Sequence, residues 1–149
     1  MSSESNVVLM RRWFEEVWNR GKMDTVRELL AEDAVGTGQA EPGVTIHGPA
    51  DFIPFVERIR DAFPDIKMTV EEAFGNGEMV AVRWSATMTH RGDHLGIPAT
   101  NKPVRLTGLT MVRMRNGQIV EGWDNWDQLG MMQQIGAIEP ARMALGKTA

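Results

Sequence analysis

Residues 112–136, VRMRNGQIVEGWDNWDQLGMMQQIG, read as a hairpin, a carboxylate flanked by tryptophans, and a helix in direct succession. Asn116-Gly117 lies between two runs of strand-type residues and is a strong hairpin signal, because both residue types tolerate the positive φ of tight hairpin turns. It predicts a strand over 118–126 that returns antiparallel beside 104–115. Asp127 then fits a helix N-cap, with Leu129, Met132 and Ile135 on one stripe of the helix and Gly136 just past its end. At the centre stands Asp124, between Trp123 and Trp126 and late in a strand whose neighbours must be packed. It is a candidate acid or base in a dry pocket.

The turn decides which way Asp124 faces. A two-residue type I′ turn pairs Arg115 with Gln118 and places Asp124 on the face of Leu109, Met111 and Arg113. A type I turn with a G1 bulge at Gly117 shifts the register by one residue. We favour the bulge. It groups Asp124, Gly122 and Val120 with Gly108, Thr110, Val112 and Met114, a lining of small and apolar residues suited to a cavity, and it sends Arg113 and Glu121 to the other face.

Upstream, 104–115, 78–90 and 66–74 are long strand-like runs, so the chain from 66 to 126 is a meander. Gly75-Asn76-Gly77 makes a tight connection within it, and Arg91–Pro103 a longer loop of Gly, Pro and polar residues. Three helices precede or cross over to the meander. Val7, Met10, Phe14 and Val17 set the buried stripe of residues 5–20, with Trp13 and Trp18 beside it and an end near Gly21. Residues 24–31 form the second helix, and 34–38 and 44–47 are short strands. The third helix starts after Gly48 and buries Phe52, Phe55, Val56, Ile59 and Phe63; Pro54 is tolerated in it only if Asp51 is near the N-cap, since first-turn N–H groups lack helical partners anyway. The result is a single α+β domain over 1–149, with its core at about 5–138 and a short tail over 139–149.

With 149 residues and 42% hydrophobic content, the chain builds one core without staples. Its zero cysteines exclude disulfides, thiolate metal sites and a cysteine nucleophile, and its lack of tyrosine removes the phenol as an acid. A net charge of -4 with scattered basic residues argues against nucleic acid as a partner. No apolar run reaches a membrane span, and the N-terminal residues lack the order of a secretory signal, so a cytoplasmic protein is expected. Eleven methionines and five tryptophans suit a soft interior around a bulky hydrophobic or aromatic ligand.

Three helices, a strongly bent antiparallel meander and a hydrophobic cone between them resemble the nuclear transport factor 2 fold, a cystatin-like α+β barrel. The segment HRGDHLGIPATNKPV over 90–104, followed by the 112–136 stretch, resembles the SnoaL-like polyketide cyclases, also called ester cyclases. The likeness extends over 5–138. It implies a cofactor-independent acid/base enzyme that closes a ring by intramolecular aldol chemistry on a polyketide-like or polycyclic carbonyl compound, and a homodimer. It also implies that Asp124 is the acid and base. The family pattern carries histidine two residues earlier, where this chain has Gly122. Cofactor-free hydroxylation and ligand binding without catalysis are the alternatives on the same architecture.

Desolvation beside tryptophan and methionine favours the protonated form of Asp124, which suits proton transfer at carbon. His90, at a strand end, is a second candidate: it can orient a substrate carbonyl or replace the missing motif histidine from another strand. His94 lies in the following loop as a ligand contact, and Trp84, Gly108, Thr110, Gly122 and Trp126 are expected to shape the pocket. His90, Asp93 and His94 do not form a specific metal-ligand pattern, and no metal is expected. His47 is expected at the surface.

Overall fold

The computed structural model describes residues 2–140, so the expected tail lies outside them from 141 onward. Helix α1 (Ser3–Trp13) is capped by Ser2, whose hydroxyl accepts from Ser5 N at 3.1 Å, and carries Arg11 and Arg12 in its last turn. It runs on as a π-helical segment (Phe14–Asn19). That segment is stitched to the sheet: the Asn19 amide donates to Met68 O at 2.9 Å and accepts from Met68 N at 2.7 Å. The expected first helix thus exists, but in two forms. Met10, Phe14 and Val17 form its buried stripe, together with Trp13.

Helix α2 (Met23–Leu29) feeds β1 (Leu30–Thr37), and β2 (Thr45–His47) returns against it. Helix α3 (Gly48–Ala62) starts earlier than expected. His47 is its N-cap, and His47 N donates to Asp51 Oδ2 at 2.9 Å. Pro54 is therefore not in the first turn: it lies inside the helix, on the exposed side, where it removes one intrahelical hydrogen bond. Phe52, Val56 and Phe63 pack inward, each contributing roughly 1.5–3 kcal/mol by burial.

The meander follows as β3 (Lys67–Asn76), β4 (Met79–Thr89), β5 (Pro103–Arg115) and β6 (Gln118–Trp126). Gly75 and Asn76 belong to β3, so the turn into β4 consists of Gly77 and Glu78. The six strands are ordered β2-β1-β6-β5-β4-β3 in one curved, unclosed sheet. The sheet is mixed where all-antiparallel pairing was expected, because β1 lies parallel to β6, with Gly36 beside Gly122. Between β1 and β6 the chain passes through β2, helix α3 and strands β3 to β5, a crossover long enough for parallel pairing. Helices α1 and α3 cover the concave face. Among the described residues no helix is long and apolar enough to cross a membrane.

The β5–β6 hairpin differs from the expected turn and reaches the expected register. Asn116 and Gly117 both have positive φ, 52° and 76°, and Arg115 pairs with Gln118, the signature of a type I′ turn. The shift comes later, at Val120, which stands unpaired between Met114↔Ile119 and Arg113↔Glu121. This bulge, placed three residues beyond the turn, sets Asp124 opposite Thr110 and Gly122 opposite Val112. Ile119 takes the inward place assigned to Val120.

Helix α4 (Gln128–Gln134) closes one end. Asp127 caps it, accepting from Gly130 N at 2.8 Å. Its buried side is Met131 and Ile135 at one-turn spacing, whereas Leu129 points to solvent.

Candidate active site

Between the helices and the concave sheet lies an open-mouthed cavity with a predominantly apolar lining. Aromatic rings from two helices make one wall: Trp13 and Phe52 lie with centroids 5.2 Å apart, and Trp18 meets Phe52 and Phe55 edge-on. The sheet supplies the other wall, where Trp84, Thr110, Gly122, Asp124 and Trp126 meet. Asp124 is the single ionisable residue among those lining the cavity, and Thr110 and Gln39 are the polar side chains beside it.

Each of these side chains is positioned by a specific local feature. The Val120 bulge turns Asp124 inward. Gly108 lies opposite Trp84, and a Cβ there would overlap the indole, so the glycine lets Trp84 lie flat across the sheet. Trp84 Nε1 then donates to Thr110 Oγ1 at 3.0 Å. With that lone pair engaged, the Thr110 hydroxyl donates its own proton to Asp124 Oδ1. The Gln39 side chain lines the cavity together with this pair.

Asp124 is half-buried, and the surface it keeps faces the cavity. Loss of water around the carboxylate raises its pKa from 3.8 to about 6, and the hydrogen bonds from Thr110 and Gln39 hold back a larger rise. A carboxyl with that value is mostly ionised at neutral pH yet holds a proton readily. It suits a group that must remove a proton and then return it.

His90 and His94 do not join this site. His90 is fully buried at the end of β4, with its ring 5.5 Å from Phe63 and its Nδ1 accepting from Thr100 N at 3.3 Å. It anchors the 91–102 loop, which is also tied to Ala62 O by Arg91 N and Gly92 N. The strand ends at Thr89, so the His90 ring packs beneath the loop instead of facing the ligand space. His94 is exposed in that loop. Gly108 is buried behind Trp84 and acts on the pocket only through that ring. His47 is exposed at its strand end, as expected. Among the described residues no three His, Asp or Glu side chains gather where a metal ion would bind.

Gln39 escaped the sequence reading, since it follows a strand in a stretch without periodicity. Its signal was the surrounding glycines: Gly38, with φ of 90°, crosses so close to the Asp124 carbonyl that a Cβ would collide with it. Trp126 Nε1 donates to Gln39 O at 3.0 Å and Gln128 Nε2 to Ala40 O at 2.9 Å, fixing this segment across the end of β6.

The model of the SnoaL-like polyketide cyclase family matches residues 8–135. The chain belongs to that family. Among similar proteins, the aklanonic acid methyl ester cyclase DauD of Streptomyces sp. strain C5 is 29% identical over 129 residues, spanning 86% of this chain and 80% of that one. IdmH of Streptomyces antibioticus, a candidate polyketide cyclase, is 31% identical, with a TM-score of 0.76 over 88% of this chain and 98% of its own. A candidate SnoaL-like polyketide cyclase of Jannaschia sp. CCS1 is 25% identical, with a TM-score of 0.81 over 91% and 94% of the two chains. This membership supports the expected cyclase enzyme.

Proposed function

We propose that this SnoaL-like protein closes a carbocyclic ring in a polyketide-derived carbonyl compound, without a cofactor, using Asp124 as both base and acid. The observation that carries this reading is the isolation of one carboxylate, of raised pKa, in an otherwise apolar cavity. Asp124 removes a proton from carbon next to a carbonyl. The resulting enolate attacks a second carbonyl of the same molecule, forming the carbon–carbon bond, and the new alkoxide takes the proton back from Asp124. Atoms and charge balance without metal or redox chemistry. The aromatic wall holds the fused or folded chain in a conformation from which the ends can meet, converting binding into proximity.

Aklanonic acid methyl ester, the compound in the name of the related DauD, is the first substrate to assay. Asp124→Asn keeps the volume and the acceptor for Thr110 and loses the proton chemistry. Turnover is expected to fall by about 10²-fold or more. Turnover above about a tenth of the parent value contradicts the assignment.

The same reading includes a homodimer formed through the outer face of the sheet. Phe74, Ala81, Met111 and Trp123 are successive register partners across β3 to β6, and Phe74 and Met111 are 69% and 46% exposed. Arg83 and Arg113 lie in the rows on either side, with Glu72 and Glu121 as their ion-pair partners, so a second copy turned through a two-fold axis meets apolar with apolar and acid with base. Met111→Glu is expected to turn a dimer into a monomer in sedimentation; a monomeric parent protein contradicts the dimer.

A further inference from the structure

The resemblance of the 112–136 stretch to the SnoaL-like cyclases implies histidine at position 122, and the space that Gly122 leaves there is not simply empty. Gly36 and Gly122 are register partners where β1 runs beside β6. The Gln39 side chain folds back over both. A Cβ added at Gly36 would lie 2.7 Å from Gln39 Oε1, and one added at Gly122 would lie 3.8 Å from Gln39 Nε2. The amide thus occupies a slot whose floor is two glycines. It is held there by its backbone, through the Trp126 bond to its carbonyl and the close passage of Gly38 over Asp124.

Gln39 is 6% exposed, and its Oε1 has no hydrogen-bond partner. A buried amide oxygen without a partner is costly, on the order of 1–3 kcal/mol, and such atoms call for an explanation. Proton traffic at Asp124 supplies one. While Asp124 is a carboxylate it needs a donor, and the amide N–H of Gln39, whose influence on the carboxyl is to lower its pKa, is suited to serve as one. Once Asp124 carries the proton it becomes a donor, and a half-turn of the amide brings Oε1 round to accept from it. An imidazole can serve a carboxyl in both states through exchange of its own proton; a primary amide does so by rotation.

We propose that Gln39 is the positioning residue for Asp124 in this chain, standing from the segment just after β1 in the place that a histidine at position 122 would take from β6. The proposal rests on the reading of Asp124 as the base, yet its central test needs no turnover. Gln39→Met retains the linear shape and removes the amide. Observed by NMR of the Asp124 carboxyl, its titration midpoint is expected to rise by roughly 0.5–1 pH unit relative to the parent protein, as befits the loss of a donor to the charged form. An unchanged midpoint in a folded Gln39→Met protein overturns the proposal, whatever Asp124→Asn does to activity.

A second pair of variants guards against a purely structural effect. Gly122→His alone places an imidazole against the Gln39 amide and is expected to lower kcat by about tenfold. Gly122→His combined with Gln39→Met gives the imidazole its room, and the double variant is expected to exceed both single variants in kcat and to bring the pH profile back toward that of the parent. A double variant no better than the product of the two single effects overturns the exchange of one partner for the other.

Discussion

Thr110 and Asp124 are cross-strand partners on the concave face, and the Thr110 hydroxyl, held as an acceptor by Trp84 Nε1, donates to Asp124 Oδ1. This directed chain ties the candidate base to an aromatic wall residue. Its orientation follows from inventory: indole N–H can only donate, so the hydroxyl proton is left for the carboxylate.

Replacing Thr110 by Val should therefore act on two groups at once. Asp124 loses a donor and its pKa rises further, and Trp84 is left with a buried N–H lacking a partner, at a stability cost of about 1–3 kcal/mol. Turnover of Thr110→Val is expected to fall more at pH 6.5 than at pH 8.5. The pH profile of kcat/KM, with a urea denaturation curve beside it, checks both parts.

Asp124 also sets a stability slope whose sign differs from that of a paired carboxylate. Its folded pKa, about 6, lies above the ordinary 3.8, so between these values the folded protein holds a proton that the unfolded chain has released. Stability is greatest below that window and falls as pH rises through it, by on the order of 3 kcal/mol in total. Asp124→Asn removes this slope. Glu16, lowered to about 2 chiefly by its hydrogen bonds from Thr25 and Arg12, has the opposite sign at lower pH, and it cancels in the comparison of parent with variant. Above pH 7 Asp124→Asn is thus expected to melt at a higher temperature than the parent; an equal gap between their melting temperatures at pH 4 and pH 8 would count against burial of the charge.

Gly108→Ala tests how the pocket wall is laid. Its Cβ would overlap the Trp84 indole, which must then tilt away from the sheet and from Thr110. We expect a loss of about 1–3 kcal/mol, as for other overpacked cores, together with a change in tryptophan fluorescence. An unaltered spectrum and urea midpoint would mean that the ring is not fixed there.

Much of this arrangement was legible from local chemistry. Asn116-Gly117 announced the hairpin, Asp127 the helix cap, and the alternation from Val104 to Met114 the inward face of β5. The inward direction of Asp124 was foreseen for a reason that proved different in detail: the extra residue is Val120 in the strand, and a turn that satisfies Asn-Gly says nothing about a bulge beyond it. Parallel pairing of β1 with β6 was not visible, because it joins residues nearly ninety positions apart and rests on close approach of Gly36 to Gly122. Gln39 was hidden for the same reason. His90 misled because a histidine at the end of a strand has the same sequence signature whether it turns to the cavity or, as here, beneath a loop toward Phe63 and Thr100. Pro54 misled because a proline points to the first helical turn only when no exposed interior position accepts it.

The central claim, a desolvated carboxylate poised for proton transfer, is tested most directly by titrating the Asp124 side-chain carboxyl by NMR in the free protein, assigned by its absence from Asp124→Asn. The account predicts a midpoint near pH 6. A midpoint at or below the ordinary value of 3.8 would show a solvated or strongly paired group and would contradict it.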